Sequence, residues 1–409
     1  MKHTLSILLS ALLLISPGLL RAGSSVTASG VNESLSHNSV WVMLQDSRGV
    51  MWIGTKEGLN CYNGYDNSIY KHDLNDSLSI GNSFIRALFE VIPGKELWVG
   101  TDEGLYLCDM QRGLFTRFRV STADGREIKG TVNAMVQLHD ELWISEVNVG
   151  IYRYNLTRGT LKLYPTGRYH WNMATDHHGG IWATSFNGGV YRYDKQHDDF
   201  LISAVNKEGI NNDDYQTRSF YCDIANNCMW IGTLNRGLIR YDFATNEWSE
   251  YQIPNDPASL YEIHAITQFS PNELAVGTEK GFFSFNTISH RFVKQADIQS
   301  IFSLVQDREG GIWLGTYYDG VHYLRPGFKA IVQHRVPESQ GRVVSAFVSD
   351  MSDQNKIWIS ARDGLGGLCR YNKLTGVYEE FDHLVRYDNI RELASFDDAL
   401  WVGFYSHGL

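Results

Sequence analysis

Gln45-Asp46-Ser47-Arg48-Gly49-Val50-Met51-Trp52-Ile53-Gly54-Thr55, followed by Gly58-Leu59 and Tyr62, is the stretch on which the fold turns, because it returns along the whole chain. A Met, Leu or Ile, then Trp, then a short apolar run, then Gly-Leu or Gly-Val, recurs around Trp52, Trp98, Trp143, Trp182, Trp230, Trp313, Trp358 and Trp401. Leu274-Ala275-Val276-Gly277-Thr278 makes a further copy in which Ala275 stands where the others have Trp. The steps between these nine positions run from 38 to 48 residues. A period of about 44 residues is that of a four-stranded propeller blade.

Within one unit the pattern reads as four short antiparallel strands. An apolar innermost strand such as Phe84 to Glu90 or Phe302 to Asp307 leads into a turn of the type Asp46-Ser47-Arg48-Gly49. There the Asp accepts local backbone hydrogen bonds and the Gly supplies positive φ. The Trp-Ile-Gly-Thr strand follows, its Trp filling the space between blades and its Gly allowing close backbone approach. The Gly-Leu-x-x-Tyr strand and a polar outer strand, such as Phe115 to Val120 or Trp248 to Ile253, complete the blade. One blade cannot bury both of its faces, and stacking blades in a ring removes the problem.

The expected fold is therefore all-β: a seven-bladed β-propeller of four-stranded antiparallel blades, followed by the truncated start of a second propeller. Residues 1–22 read as a secretory signal, with Lys2, an apolar stretch from Leu5 to Ile15, a Pro17-Gly18 break and small residues around Ala22. Cleavage is placed after Ala22. Residues 23–35 form an N-terminal lead-in, 36–336 the seven-bladed ring, 337–341 a joint, and 342–409 the first blades of the second, incomplete propeller. The chain stops at Leu409 just after the ninth Gly-Leu, which reads as the N-terminal part of a longer polypeptide or a truncated gene product.

Composition narrows the partners. The 409 residues carry a formal charge of −10, which becomes −12 once the first 22 residues take Lys2 and Arg21 with them. Nucleic acid and anionic membrane surfaces favour basic proteins, so neither is expected as a partner. No second apolar run long enough to cross a bilayer follows the signal, so a membrane connection is expected only through C-terminal parts lying beyond these residues. Of the five cysteines, Cys61, Cys108 and Cys369 follow Gly-Leu steps and read as small buried strand residues. Cys222 and Cys228 flank a turn and are candidates for a cross-strand disulfide, a pairing that cross-strand geometry restricts.

The quoted stretch, extended through Gly58-Leu59-Asn60-Cys61-Tyr62-Asn63-Gly64, resembles the two-component regulator propeller repeat, and the resemblance covers nearly everything after the signal. The set is similar to the N-terminal periplasmic sensor region of hybrid two-component system histidine kinases. In that family two seven-bladed propellers precede an immunoglobulin-like module, a membrane span, a histidine kinase and a response regulator. The resemblance implies a periplasmic location, a ligand that is an oligosaccharide or another small periplasmic molecule, and homodimeric action in the full-length receptor. None of the kinase motifs occurs in these residues, so the chain is read as a sensing part and not as an enzyme. The third and eighth copies replace the second Gly by Ser and the fourth has Ala183, departures that leave the blade intact.

Ligands of propellers sit where loops converge over the channel, and loops carry function more often than core strands do. Residues after each Trp-containing strand are the first candidates, among them Asp102, Phe186, Asn187, Arg236, Glu279, Tyr317 and Tyr318. Trp41 and Trp171 stand eleven residues before Trp52 and Trp182, where each should open an innermost strand. Arg168, Tyr169 and His170 lie beside Trp171, a mixture of flat aromatic and cationic groups suited to a sugar face and an acidic substituent. The opposing reading is that these aromatics pack between blades. His177-His178 falls in the Asp-x-x-Gly turn and reads as turn sequence, with no third ligand spaced to make a metal site. No metal, cofactor or catalytic residue is expected. Two alternatives to a sensor remain: a secreted propeller lyase or glycosidase, and a structural propeller that binds proteins.

Overall fold

The computed structural model describes residues 27–28, 31–186, 189–203, 216–253, 262–326, 343–353, 355–362, 367–373, 375, 377–381, 390–396 and 399–404. The signal at 1–22, the joint at 337–341 and Asn187 lie outside these residues.

The turn aspartate explains why each repeat folds as a blade. In blade 1, Asp46 ends the innermost strand Val40–Gln45, and its Oδ1 accepts the N–H groups of Arg48 and Val50. Its Oδ2 accepts the indole N–H of Trp52 at 2.9 Å, so one buried carboxylate fixes both the reversal and the Trp of the next strand, Met51–Thr55. Asp176 holds Trp182 in the same way at 2.7 Å, Asp223 holds Trp230 at 3.2 Å and Asp307 holds Trp313 at 3.1 Å. Gly49, at φ +91°, completes the reversal with a backbone bond to Asp46.

At the other end of the second strand, the motif Thr closes the next loop. Thr55 Oγ1 donates to the Gly58 carbonyl at 2.9 Å, and Thr101, Thr233, Thr278 and Thr316 do the same to Gly104, Gly237, Gly281 and Gly320. Glu146 replaces Thr in blade 3; it takes the N–H groups of Lys129 and Gly130 and the hydroxyl of Tyr152.

Six such blades are four-stranded sheets with strands in chain order, beginning at Val40, Ile85, Val132, Met173, Thr217 and Ile263. The seventh is built differently. Ile301–Gln306, Ile312–Thr316 and Val321–Leu324 supply three strands, and Thr27–Ala28 pairs with the last of them as the fourth. The lead-in is thus part of blade 7, and Asn32 strengthens the closure by bonding both the N–H and the carbonyl of Val321. On the inner side Ser303 Oγ accepts the Met43 N–H at 3.0 Å, joining blade 7 to blade 1.

The core is a circle of interblade packings. Trp52 packs among Leu88, Leu97 and Phe115 of blade 2, Trp98 among Leu142, Ile144 and Tyr152 of blade 3, and Trp143 among Ile181, Tyr191 and Phe200 of blade 4. Trp182 and Trp230 repeat the arrangement against blades 5 and 6. Trp313 packs with Met51 and Ile53, returning the circle to blade 1. Where Ala275 replaces Trp, Phe282 and Phe269 occupy the cluster with Ile312 and Leu314. Beyond the ring, Val343–Ser349, Lys356–Arg362, Gly367–Asn372 and Tyr378–Glu380 form an eighth four-stranded sheet, and Ile390–Phe396 with Ala399–Phe404 a two-stranded one. These two sheets share a small core through Leu368, Ile390 and Leu393.

Cys222 and Cys228, the candidates for a cross-strand disulfide, are unpaired: both thiols are free. Cys222 faces Met229 and Asp223 faces Cys228, so the two cysteines lie on opposite faces of the hairpin. Burial pushes the Cys228 thiol up to about 11, which keeps it protonated and inert. No helix among the described residues is long and apolar enough to cross a membrane.

Candidate functional site

Six of the seven innermost strands of the ring are interrupted near their start. The register slips by one residue between Val40 and Val42, Ile85 and Ala87, Val132 and Ala134, Thr217 and Ser219, Ile263 and Ala265, and Ile301 and Ser303. A bulge of this kind re-aims the extra side chain. The extra residues are Trp41, Arg86, Asn133, Arg218, His264 and Phe302, and Trp171 takes the corresponding place in blade 4. All seven line one cavity of about 250 Å³ at the mouth of the central channel, so every blade contributes one side chain.

Ring and guanidinium contacts join six of these residues, and the Asn133 side-chain amide donates to the His170 carbonyl of the next blade at 3.3 Å. Trp41 meets Phe84 and Phe302 edge-on, each with centroids 5.2 Å away, and Tyr317 at 5.8 Å. The Arg86 guanidinium lies 4.3 Å from the Trp41 ring and 3.7 Å from Phe84, and is anchored by Asp102 at 2.7 Å. From the opposite side Trp171 lies tilted against Tyr169, with ring centroids 4.4 Å apart, and Phe186 is at 6.4 Å. Arg218 bridges the two groups, its guanidinium 3.9 Å from Trp171 of blade 4 and 4.6 Å from Phe302 of blade 7. Burial lowers its pKa to about 10, so the cation persists at neutral pH.

His264 stacks on Phe302 at 4.3 Å and touches Glu279 at 3.3 Å and Glu262 at 3.7 Å. Burial pushes the imidazole down to about 4, leaving it neutral. The hydrogen bond from His264 lowers the Glu279 carboxyl, and burial together with Glu279 raises that of Glu262. Their ligating atoms lie within 4.8 Å of one another, which makes this trio the place among the described residues where a cation or a proton-transfer role would be sought.

The sequence-derived candidates divide. Trp41 and Trp171 line the cavity, and Tyr317 and Phe186 ring it through aromatic contacts. Tyr318 is 71% exposed and packs against Tyr317 at 4.7 Å. Arg168 sits in the loop before Trp171, where its carbonyl accepts the Asn148 N–H. Arg236 lies in the loop after Thr233, half-buried, with its carbonyl bonded by Gln252. His170 is wholly buried in blade 4; one ring nitrogen meets the Thr184 carbonyl at 2.8 Å and the other the Thr166 hydroxyl at 2.7 Å. Asn187 lies outside the described residues. His177 and His178 occupy the turn as expected, both directed to Asn227 Oδ1.

Reading from the motif Trp missed Arg86, Asn133 and Arg218, because the intervening hairpins differ in length. His264 and Phe302 share the eleven-residue offset of Trp41 and went unnoticed. The signal lies in a local pattern: a β-branched residue, the variable residue, a small one, then an apolar one, as in Ile85-Arg86-Ala87-Leu88 and Thr217-Arg218-Ser219-Phe220.

Residues 34–57 and 297–318 match the family model of the two component regulator propeller. The matched segments contain the innermost and second strands of blades 1 and 7, and the chain carries such repeats on both sides of the ring closure. No curated protein matches the chain. Among solved structures, the extracellular domain of the proposed hybrid two component system BT4673 from B. thetaiotaomicron is similar at 20% identity and a TM-score of 0.61, over 90% of this chain and 50% of that one. The corresponding domain of BT3049 from B. thetaiotaomicron is similar at 21% identity and 0.59, over 91% and 51%. PorZ, a surface component of the type-IX secretion system of Porphyromonas gingivalis, is similar at 16% identity and 0.57, over 84% and 59%. This likeness establishes the propeller fold, and the chain spans about half the length of the ectodomains it matches.

Proposed function

We propose that this chain is the ligand-sensing propeller region of a hybrid two-component sensor, held outside the cytoplasm, which binds an oligosaccharide at the channel mouth and hands the signal to a membrane-spanning histidine kinase. The observation that carries the reading is the convergence of seven residues, six at bulges and Trp171 just before the innermost strand of blade 4, one from each blade, on a single cavity. Its walls combine Trp41, Trp171 and Phe302, whose ring faces suit the apolar faces of a sugar, with Arg86, Arg218 and Asn133, whose N–H groups suit hydroxyl and acidic oxygens. A mixed aromatic and polar concavity on a rigid ring is the usual form of a small-ligand site. The extracellular two-component domains of like fold and the matching repeats support the signalling context, and dimerisation in a full-length receptor is part of the same proposal.

The experiment is a titration of the purified chain with oligosaccharides from partially hydrolysed plant and host polysaccharides, followed by tryptophan fluorescence, with the sugars then recovered and analysed. A saturable response to one class, recovered unchanged, is the expected result. Shortened or unsaturated products would assign the chain to the lyases or glycosidases, with Glu262 and Glu279 the first carboxylates to substitute. Absence of any response would remove the sugar-sensing reading.

A further inference from the structure

Arg218 is the one feature of the channel mouth that sugar stacking alone leaves without an explanation. The residue is 8% exposed, yet its guanidinium has no hydrogen bond or ion pair with any described residue. Glu262 and Glu279, the carboxylates nearest in charge, are turned to His264, and Glu279 also accepts the Ser300 hydroxyl. Arg86, the other guanidinium of the ring, has its own carboxylate in Asp102. A buried charge costs several kcal/mol unless it is paired, and two ring faces offset only part of that. Ring contacts cover the flat faces of a guanidinium and leave its N–H edge for a planar or tetrahedral anion.

We infer that Arg218 is the receptor for an acidic group, a carboxylate or sulfate, carried by the ligand, so that the site selects acidic over neutral sugars. The inference rests on the sugar-sensing reading above. Trp171 and Phe302 hold the guanidinium near the channel axis, where the cation is reached from the cavity they share. The buried indole N–H groups of Trp41 and Trp171 have no partner either, and add donor character to the same wall. An acidic sugar would place its charged substituent against Arg218 and its ring against the flanking aromatics.

The test compares D-glucuronate, D-glucose and inorganic sulfate by tryptophan fluorescence and calorimetry on the wild-type chain, Arg218→Gln and Arg218→Lys. Glucuronate should bind the wild type at least tenfold more tightly than glucose; Arg218→Gln should abolish the difference, and Arg218→Lys should keep part of it. Sulfate binding as tightly as glucuronate, with glucose inert, would support the acid receptor and overturn the sugar reading. Equal binding of glucose and glucuronate would overturn the acid receptor and leave the sugar reading standing. No binding of any of the three overturns both. Should Arg218→Gln melt too low to titrate, the wild-type comparison and Arg218→Lys decide the matter.

Discussion

At the scale of single residues, His170 shows how the chain uses a polar side chain inside a blade. It is fully buried, its ring accepts from Thr166 and donates to the Thr184 carbonyl, and burial pushes its pKa down to about 4 from 6.5. The unfolded chain binds a proton at this position below pH 6.5 whereas the folded chain stays neutral until about pH 4. Stability is therefore fully present above pH 6.5 and is lost as the pH falls to 4, by about 3 kcal/mol from this residue at full shift. Chemical denaturation across pH 4 to 7 should show that slope, and His170→Gln should make it shallower, with buried His264 supplying the remainder; parallel profiles for the two proteins would contradict the assignment. The same burial explains why a histidine that reads in sequence as a ligand-facing neighbour of Trp171 is engaged within the blade. Sequence shows adjacency, and the packing of the blade decides which of two neighbours faces the channel.

At the scale of the blade, the repeat was legible because its physics is local. The Asp-to-indole bond spans six residues in blades 1, 4 and 7 and the Thr-to-Gly loop three or four, so both are visible as fixed spacings. The motif glycine is constrained by a neighbour distant in sequence. A Cβ on Gly100 would meet the Val132 carbonyl oxygen at 2.6 Å and Val132 Cγ1 at 2.8 Å, contacts made with the next blade's innermost strand. Gly100→Ala should cost about 2 kcal/mol, as overpacking of a close interface does, and shift the urea midpoint accordingly. A change below a few tenths would show that the blades can part. Blades 3 and 4 place Ser145 and Thr184 at this position, and their hydroxyls accept the N–H groups of Ala134 and Asn172. At these two positions a side-chain hydrogen bond stands where the other blades have a glycine.

At the scale of the molecule, the ring closes through partners more than 250 residues apart, Met43 with Ser303 and Asn32 with Val321. No spacing announces such pairs, which is why residues 23–35 read as a lead-in outside the ring although Thr27–Ala28 completes blade 7. The site is harder to read for a related reason: its seven residues share a position and not an identity, so only the flanking pattern of a β-branched, a small and an apolar residue marks most of them. Trp41 and Trp171 were recoverable because two blades happen to carry the same large side chain there. Arg218 stands twelve residues before its Trp, one off the offset of Trp41, and His264 keeps the eleven-residue offset under a different side chain. The central claim is that this shared position is the ligand site, and Trp171→Ala tests it most directly. Titrated with the oligosaccharide class that saturates the wild type, the variant should bind at least tenfold more weakly while its thermal unfolding stays nearly unchanged. Undiminished binding would contradict the site, and a large fall in melting temperature would show Trp171 to be packing between blades instead.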